Sequence, residues 1–454
     1  MSSPSVRHSD VDACPGALRL HTAADGPLAR VRLPGGLLTG EQVRALATIA
    51  HRWGDGQVEL TSRANVQLRA LTGAPADELA AALRGAGLLP SETHELVRNI
   101  AAVPTAGGWE VRPLVHALDA AVCSEPALAG LPGRFLFALG PVPAAADLAA
   151  VETPEGAAIL FGGRDEGLRV PPGAVVDALI AGALSFLAVR AERSVPAWRL
   201  RELANGPAEV AARTAARLGV ALQPPGPSTG TPGPPPGPPP GSGQLPPVAS
   251  QPPPRAGELP RVTSQPPPGP ERLPADPSQP PRGPVLLPVA AEPIGVVEQA
   301  GGRFAAAALA PLGLLRQAQL AALAEAGELA VTPWRGVIVL DQSRAEAAAW
   351  LGVLAEVGLE VSPGSRWSGV TACAGRPGCA KALADVRHDA DAATTFGAGL
   401  PVHWVGCARG CGSPAGAHVR VEATGDGYAV TGPSGGGTAT ASDVGALVTT
   451  ARRA

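Results

Sequence analysis

Val58-Glu-Leu-Thr-Ser-Arg-Ala-Asn-Val-Gln-Leu-Arg69 and Leu329-Ala-Val-Thr-Pro-Trp-Arg-Gly-Val-Ile-Val339 are two versions of one apolar run. Each reads as a strand, and each carries a threonine followed shortly by an arginine: Thr61 and Arg63, then Thr332 and Arg335. The sequence before each run also repeats. Ala29–Leu33 reads as a strand ending at Pro34-Gly35-Gly36, and Phe304–Leu309 as a strand ending at the Pro311-Leu-Gly turn. A helix follows in both copies. In the first, Thr39 is its N-cap with Gln42 three residues on, and Val43, Leu46, Ala47 and Ile49 keep helical spacing. In the second it covers Gln317–Glu325. Two strand–helix–strand units point to an internal duplication; the alternative is chance similarity in an Ala- and Leu-rich chain.

Between the copies lies a tract from Pro224 to Pro288 that holds 26 of the 51 prolines. Leu-Pro steps recur at Leu245, Leu259, Leu273 and Leu287, and Ser-Gln-Pro-Pro at Ser250, Ser264 and Ser278, a 14-residue unit. Proline removes backbone donors and favours extended polyproline II, and each unit has too little apolar surface to stack as a solenoid. A semi-rigid spacer is expected, with a ligand for a proline-binding module as the alternative. At 454 residues the chain has room for two or three domains. The N-terminal Met-Ser-Ser-Pro-Ser-Val-Arg-His lacks an apolar core, and no uninterrupted apolar run reaches the roughly 18 residues of a membrane span. A cytoplasmic protein without a membrane partner is therefore expected. The formal net charge of -3 gives no reason to expect a nucleic-acid partner.

Larger mixed segments follow each unit. After Glu95-Leu-Val-Arg98-Asn99-Ile100 come Thr105-Ala-Gly-Gly and a helical run from Arg112 to Val122. Leu131–Ala138 and Ala157–Phe161 read as strands, Val175–Val189 as a helix, and a further helical pattern reaches Leu218. In the second half Ala380–Val386 reads as a helix opened by a cysteine pair, Pro401–Val405 as a strand, and His418–Glu422 with Gly427–Val430 as a hairpin.

Four of the six cysteines form two tight pairs: Cys373-Ala-Gly-Arg-Pro-Gly-Cys379 and Cys407-Ala-Arg-Gly-Cys411. Convergent thiolates select soft metals, and four are the usual complement of a [4Fe–4S] cluster. Structural zinc is the first competitor, though its pairs typically space the cysteines by two to four residues. Disulfides are the second, favoured in small secreted domains. Cys14 and Cys123 have no close cysteine partners and read as buried thiols. His403 and His418 flank the cysteines and read as structural. Ser434-Gly435-Gly436-Gly437 reads as a plain loop, with no strand–helix context for a phosphate cradle.

On these motifs the chain resembles the sulfite/nitrite reductase haemoprotein family over nearly everything except the proline-rich tract and the termini. The resemblance rests on both cysteine pairs, Leu60–Arg69, Arg98-Asn99, Thr332-Pro-Trp-Arg335 and Leu131-Pro-Gly-Arg134-Phe135. It implies an α+β fold: two ferredoxin-like half-domains in one module, with two mixed α/β reductase-like domains about a pseudo-twofold axis. The implied boundaries are 1–75 and 76–222, then the linker 223–289, then 290–362 and 363–454, the last with the iron–sulfur site. It also implies a tetrapyrrole fringed with carboxylates, which arginine forks hold bidentately. Arg63, Gln67, Arg69, Arg98, Asn99, Arg134 and Arg335 are the candidate contacts, and Cys373, Cys379, Cys407 and Cys411 the candidate cluster ligands.

One departure matters. Reductases of this kind carry two lysines in a Pro-x-Lys-Phe-Lys stretch, where this chain has Arg134 and Leu136. Leucine delivers no proton. The resemblance therefore leans toward a branch that oxidises an early corrin precursor with dioxygen and an electron donor. Cys14-Pro15-Gly16 resembles that branch too. A mononuclear non-haem iron is a further candidate cofactor there. Sirohaem, bridged to the cluster through Cys411, belongs to the reductase alternative.

Overall fold

The computed structural model describes residues 14–103, 109–142, 145–223, 292–395, 399–414, 416–433 and 435–453. Thr105–Gly108, Ser434 and the proline-rich tract lie outside the described residues.

Both runs that opened the sequence reading are hairpins, not single strands. Val58–Leu60 and Val66–Leu68 pair antiparallel around Thr61–Asn65, and Glu328–Val331 and Gly336–Gln342 pair around Thr332–Arg335. The threonines cause the reversal. The Thr61 hydroxyl accepts from the backbone N–H of Asn65 at 3.1 Å, and that of Thr332 from Gly336 at 3.0 Å. Each turn ends on a left-handed residue, Ala64 at φ 56° and Arg335 at φ 64°. The hydrogen bonds thus make Arg335 the counterpart of Ala64. The shared Thr/Arg signature is two arginines one position apart.

The duplication is otherwise detailed. Each hairpin joins a five-stranded sheet backed by helices. The first sheet contains His21–Ala23, Gly26–Val31 and the first hairpin; the second contains Gly295–Glu298, Phe304–Leu309 and the second hairpin. Each takes its fifth strand from the other copy. Leu37–Thr39 pairs with Glu328–Val331, and Leu314–Leu315 pairs with Val58–Leu60. This reciprocal exchange interlocks the copies, so one apolar core holds residues from both, including Leu33, Leu46, Val66, Leu329 and Val339. The helix Gly40–Trp53 starts with a full Thr39/Gln42 capping box. Helix Ala76–Gly85 adds Leu79 and Leu83 to the same core, which therefore runs past the boundary drawn at residue 75.

Two further five-stranded sheets share one topology. Ile100–Ala102, Phe137–Leu139 and Leu148–Thr153 are parallel, then Gly156–Phe161 and Arg164–Val170 turn back antiparallel. Val370–Ala372, Val402–Val405 and Val419–Thr424 are likewise parallel, followed by antiparallel Gly427–Gly432 and Gly435–Ala439. The strand expected over Leu131–Ala138 is confined to Phe137–Leu139, because the N–H of Phe135 turns back to Pro132. Helix Pro172–Glu192 is long and apolar enough to cross a bilayer. It packs Val175, Leu179, Ala183 and Phe186 into the core of the first of these sheets.

Candidate functional site

Strand pairing gives the two interlocked sheets a residue-by-residue correspondence. Arg30 stands opposite Gln67 as Ala307 stands opposite Ile338, and Glu59 pairs with Gln67 as Ala330 pairs with Ile338. Two residues along, Arg32 and Arg69 match Leu309 and Leu340. In the second sheet this face forms an apolar cluster of Ala305, Ala307, Ala330, Ile338 and Leu340, with Val103 against it. In the first it is ionic.

Glu59 is the centre of that ionic face. Burial alone would raise its carboxyl, but Arg387 and Arg69 outweigh burial and hold it below the usual range. It accepts from Gln67 Nε2 at 2.6 Å and is paired with Arg387. Gln67 Oε1 in turn accepts from Arg30 Nε at 3.0 Å. Arg32 is 3 % exposed; it donates to the carbonyls of Pro15 and Arg30, while its Nε has no partner. Burial lowers Arg32 to about 9. Arg63 is lowered to about 10, first by burial and then by the neighbouring cations Arg199 and Arg30. No side-chain hydrogen bond or ion pair engages Arg63 or Arg335 among the described residues. Arg335 too is lowered to about 10 by burial. Unpaired guanidiniums so placed favour an anionic ligand.

The cysteine pairs leave the C-terminal ends of two neighbouring parallel strands, Val370–Ala372 and Val402–Val405. That adjacency brings the loops together. The N–H of Gly406 donates to Cys373 Sγ at 3.2 Å, and the N–H of Leu383 to the Gly406 carbonyl at 2.8 Å. Glycine at 406 permits this approach, since a Cβ there would lie 2.6 Å from Ala382 Cβ. Cys411 lies within electrostatic reach of Cys373, Cys379 and Cys407, and burial raises its thiol. All four are free thiols. No three His, Cys, Asp or Glu side chains among the described residues converge closely enough for a single ion. Four cysteine thiolates on two loops that meet are the usual donor complement of a four-iron cluster, so the donor set fits one.

His403 supports this loop. It is fully buried, which lowers it to about 4 and keeps the ring neutral. Nε2 is 2.9 Å from the Cys411 carbonyl and Nδ1 is 2.7 Å from Thr371 Oγ1. The carbonyl can only accept, so Nε2 carries the proton and Nδ1 accepts from the hydroxyl. Half-buried His418 bonds the Gly416 carbonyl through Nδ1. The helix expected over Ala380–Val386 starts at Val386, capped by Asp385. Before it, Arg376 Nε takes the Ala382 carbonyl and Gly406 takes the Leu383 N–H, leaving neither for a helix.

Several expected contacts have internal partners. Arg98 forks onto Asp119 at 2.8 and 2.6 Å, which removes it from a ligand grip. Asn99 donates to the Leu96 and Gly133 carbonyls and accepts from Asn65, so it is structural. Gln67 is spent on Glu59, and Arg69 on Asp25 and the Gly378 carbonyl. Exposed Arg134 stacks on Trp198, its guanidinium carbon 5.0 Å from the ring centroid. Leu136 is 1 % exposed in an apolar cluster with Ala101, Ala138 and Leu160. Sequence reading missed Arg30, Arg32, Glu59, Arg199 and Arg387. The signal was present for three of them: Arg30-x-Arg32 and Glu59 are charges at alternate positions in otherwise apolar strands.

Comparison with known proteins agrees with this layout. Residues 21–86 match the model of the nitrite/sulfite reductase ferredoxin-like half domain. The whole fold is similar to the Mycobacterium tuberculosis NirA protein, with TM-score 0.61 at 18 % identity, over 92 % of this chain and 79 % of that one. The first match covers one half domain, and the second is a likeness of fold. Among sequence relatives, a precorrin-3B synthase from Sinorhizobium is 42 % identical over 80 residues, 18 % of this chain and 17 % of its own. A ferredoxin–nitrite reductase from Synechococcus elongatus is 33 % identical over 123 residues, 25 % of this chain and 24 % of its own. These matches span a quarter or less of the relatives' length.

Proposed function

We propose that this protein is an iron–sulfur oxidoreductase that binds a polycarboxylate tetrapyrrole and converts precorrin-3A to precorrin-3B in cobalamin biosynthesis. The reaction would hydroxylate the macrocycle at C20 and close a γ-lactone, using dioxygen and an electron donor. The observation that carries the reading is the ionic face with its unpaired Arg63. Among the described residues Arg63 makes no side-chain hydrogen bond or ion pair, and Arg199 and Arg30 act on it more strongly than Asp147 does, so a ligand carboxylate would complete it. Arg335, also without a partner, is the second candidate contact. Its Nη2 would be 3.5 Å from a Cβ at Gly412, beside Cys411.

Cys373, Cys379, Cys407 and Cys411 would hold a [4Fe–4S] cluster, which supplies one-electron chemistry when bound. This chain's residues do the rest. His403 fixes the Cys411 carbonyl, the glycines let the loops meet, and the arginines orient and neutralise the macrocycle. A mononuclear iron and the cytoplasmic location belong to the same proposal.

The apolar surroundings of Leu136 favour the synthase over a sirohaem reductase, since no ammonium can stand there to deliver protons. The longer match to ferredoxin–nitrite reductase favours the second reading, a sirohaem-containing nitrite or sulfite reductase. Purified protein is assayed for oxygen-dependent turnover of precorrin-3A, for nitrite and sulfite reduction, and for a sirohaem absorption band. Turnover without the band is expected. Tightly bound sirohaem with brisk nitrite or sulfite reduction overturns the first reading in favour of the second.

A further inference from the structure

We propose that Arg69 is a positioning residue for the cysteine site, one guanidinium tying the first ferredoxin-like sheet to the Cys373–Cys379 loop. Its Nε and Nη2 fork onto Asp25 at 2.8 and 3.0 Å, and the same Nη2 donates to the Gly378 carbonyl at 2.8 Å. Nη1 is 3.8 Å from Glu59. Gly378 adjoins Cys379, so holding that carbonyl fixes the backbone from which the sulfur projects. The approach is close: a Cβ at 378 would stand 2.8 Å from Arg69 Nη2 and 3.2 Å from Asp25 Oδ2, so the guanidinium would have to shift. Glu59 also holds Arg387, the second residue of the helix after the loop. The loop is thus gripped at Gly378 and again just past its end. Lysine cannot reproduce the first grip, because a single ammonium lacks the planar fork that meets Asp25 and Gly378 together.

The twin side of the molecule supplies a control. Leu340 takes the place of Arg69, and Arg112, second residue of the helix Val111–Ser124 as Arg387 is of its own, binds Glu110, Glu328 and Asp341 with no cysteine loop nearby. This inference rests on the proposed cluster for one of its two readouts. Full-length Arg69→Met, Arg69→Lys, Gly378→Ala and Arg112→Met are compared by hydrogen exchange at the Arg376, Ala382 and Leu383 amides, all hydrogen-bonded in or across the loop. The electron paramagnetic resonance spectrum of the reduced protein is the second readout. Exchange should quicken about tenfold or more in the first three variants and stay unchanged in Arg112→Met. The spectrum should change in the first three only. Unchanged exchange in folded Arg69→Lys and Gly378→Ala, or an equal rise in Arg112→Met, overturns the proposal. A wild-type protein without any cluster signal refutes the cluster assignment, and the exchange comparison still decides the role of Arg69.

Discussion

One face of the first ferredoxin-like sheet carries Arg30, Glu59, Gln67 and Arg69, and the same face of its twin carries Ala307, Ala330, Ile338 and Leu340. Both stand on the same backbone, with the same exchanged strand and the same threonine-closed hairpin. The apolar face needs no explanation beyond packing: burying it is favourable in itself. Burying Glu59 with Arg69 and Arg387 is costly, and the mutual attraction of such groups seldom exceeds what desolvation takes. Charge kept at that cost on one side, beside the cysteines, marks the side where something other than stability is served.

The largest effect expected concerns the cysteines. Serine at Cys373, Cys379, Cys407 or Cys411 should abolish bound iron and sulfide, while serine at Cys14 or Cys123 should leave both unchanged. Retention of full iron content in Cys407→Ser breaks the assignment.

Next come the two helix-start arginines, which sharpen the comparison by stability. Arg387→Met removes the main partner of buried Glu59, leaving it Arg69 at 3.8 Å and Gln67, and should cost about 3 kcal/mol in denaturant unfolding. Arg112→Met breaks pairs whose carboxylates are 35 %, 57 % and 35 % exposed and should cost about 1 kcal/mol or less. Equal losses would show that the two faces do not differ as described. The ionic face should also give a pH signature. Because Glu59 is held below its ordinary value, its contribution is present above the unfolded carboxylate pKa and is lost as pH falls through the folded one. Glu59→Gln should be less stable than wild type at neutral pH and flatter on the acid side. A parallel acid profile in both proteins would contradict this.

Arg63 and Arg98 separate ligand binding from structure. Arg63→Ala has no internal partner to lose and should leave stability within about 0.5 kcal/mol, while tetrapyrrole affinity falls roughly ten- to a hundredfold. Arg98→Ala strands Asp119, which is 20 % exposed, and should cost about 2 kcal/mol with little direct effect on affinity. The reverse pattern would return Arg98 to the site. The smallest effect is expected from replacing the proline-rich tract with a shorter Gly/Ser linker that still spans the gap; lost folding or cofactor content would show that the tract packs.

Much of this asymmetry stood in the sequence, and some did not. Periodicity and capping exposed the duplicated strand–helix units, because Thr39 and Gln42 act locally. The hairpins were hidden because Thr61 and Thr332 turn the chain through a few local hydroxyl and backbone contacts inside runs that stay apolar and β-rich on both sides. The cysteine pairs were legible because ligand chemistry restricts residue type. The fate of the arginines was not. Arg98 and Arg63 look alike in sequence, and only the distant Asp119 neutralises one of them. Arg69 meets Gly378 across 309 residues of chain, a contact no local pattern can announce.

On this account four cysteines on one side of a duplicated fold hold a single four-iron cluster. Iron, zinc and acid-labile sulfide analysis of anaerobically purified protein, with its optical spectrum, tests that most directly. About four irons and four sulfides per chain are expected, with negligible zinc. Stoichiometric zinc without sulfide would contradict it.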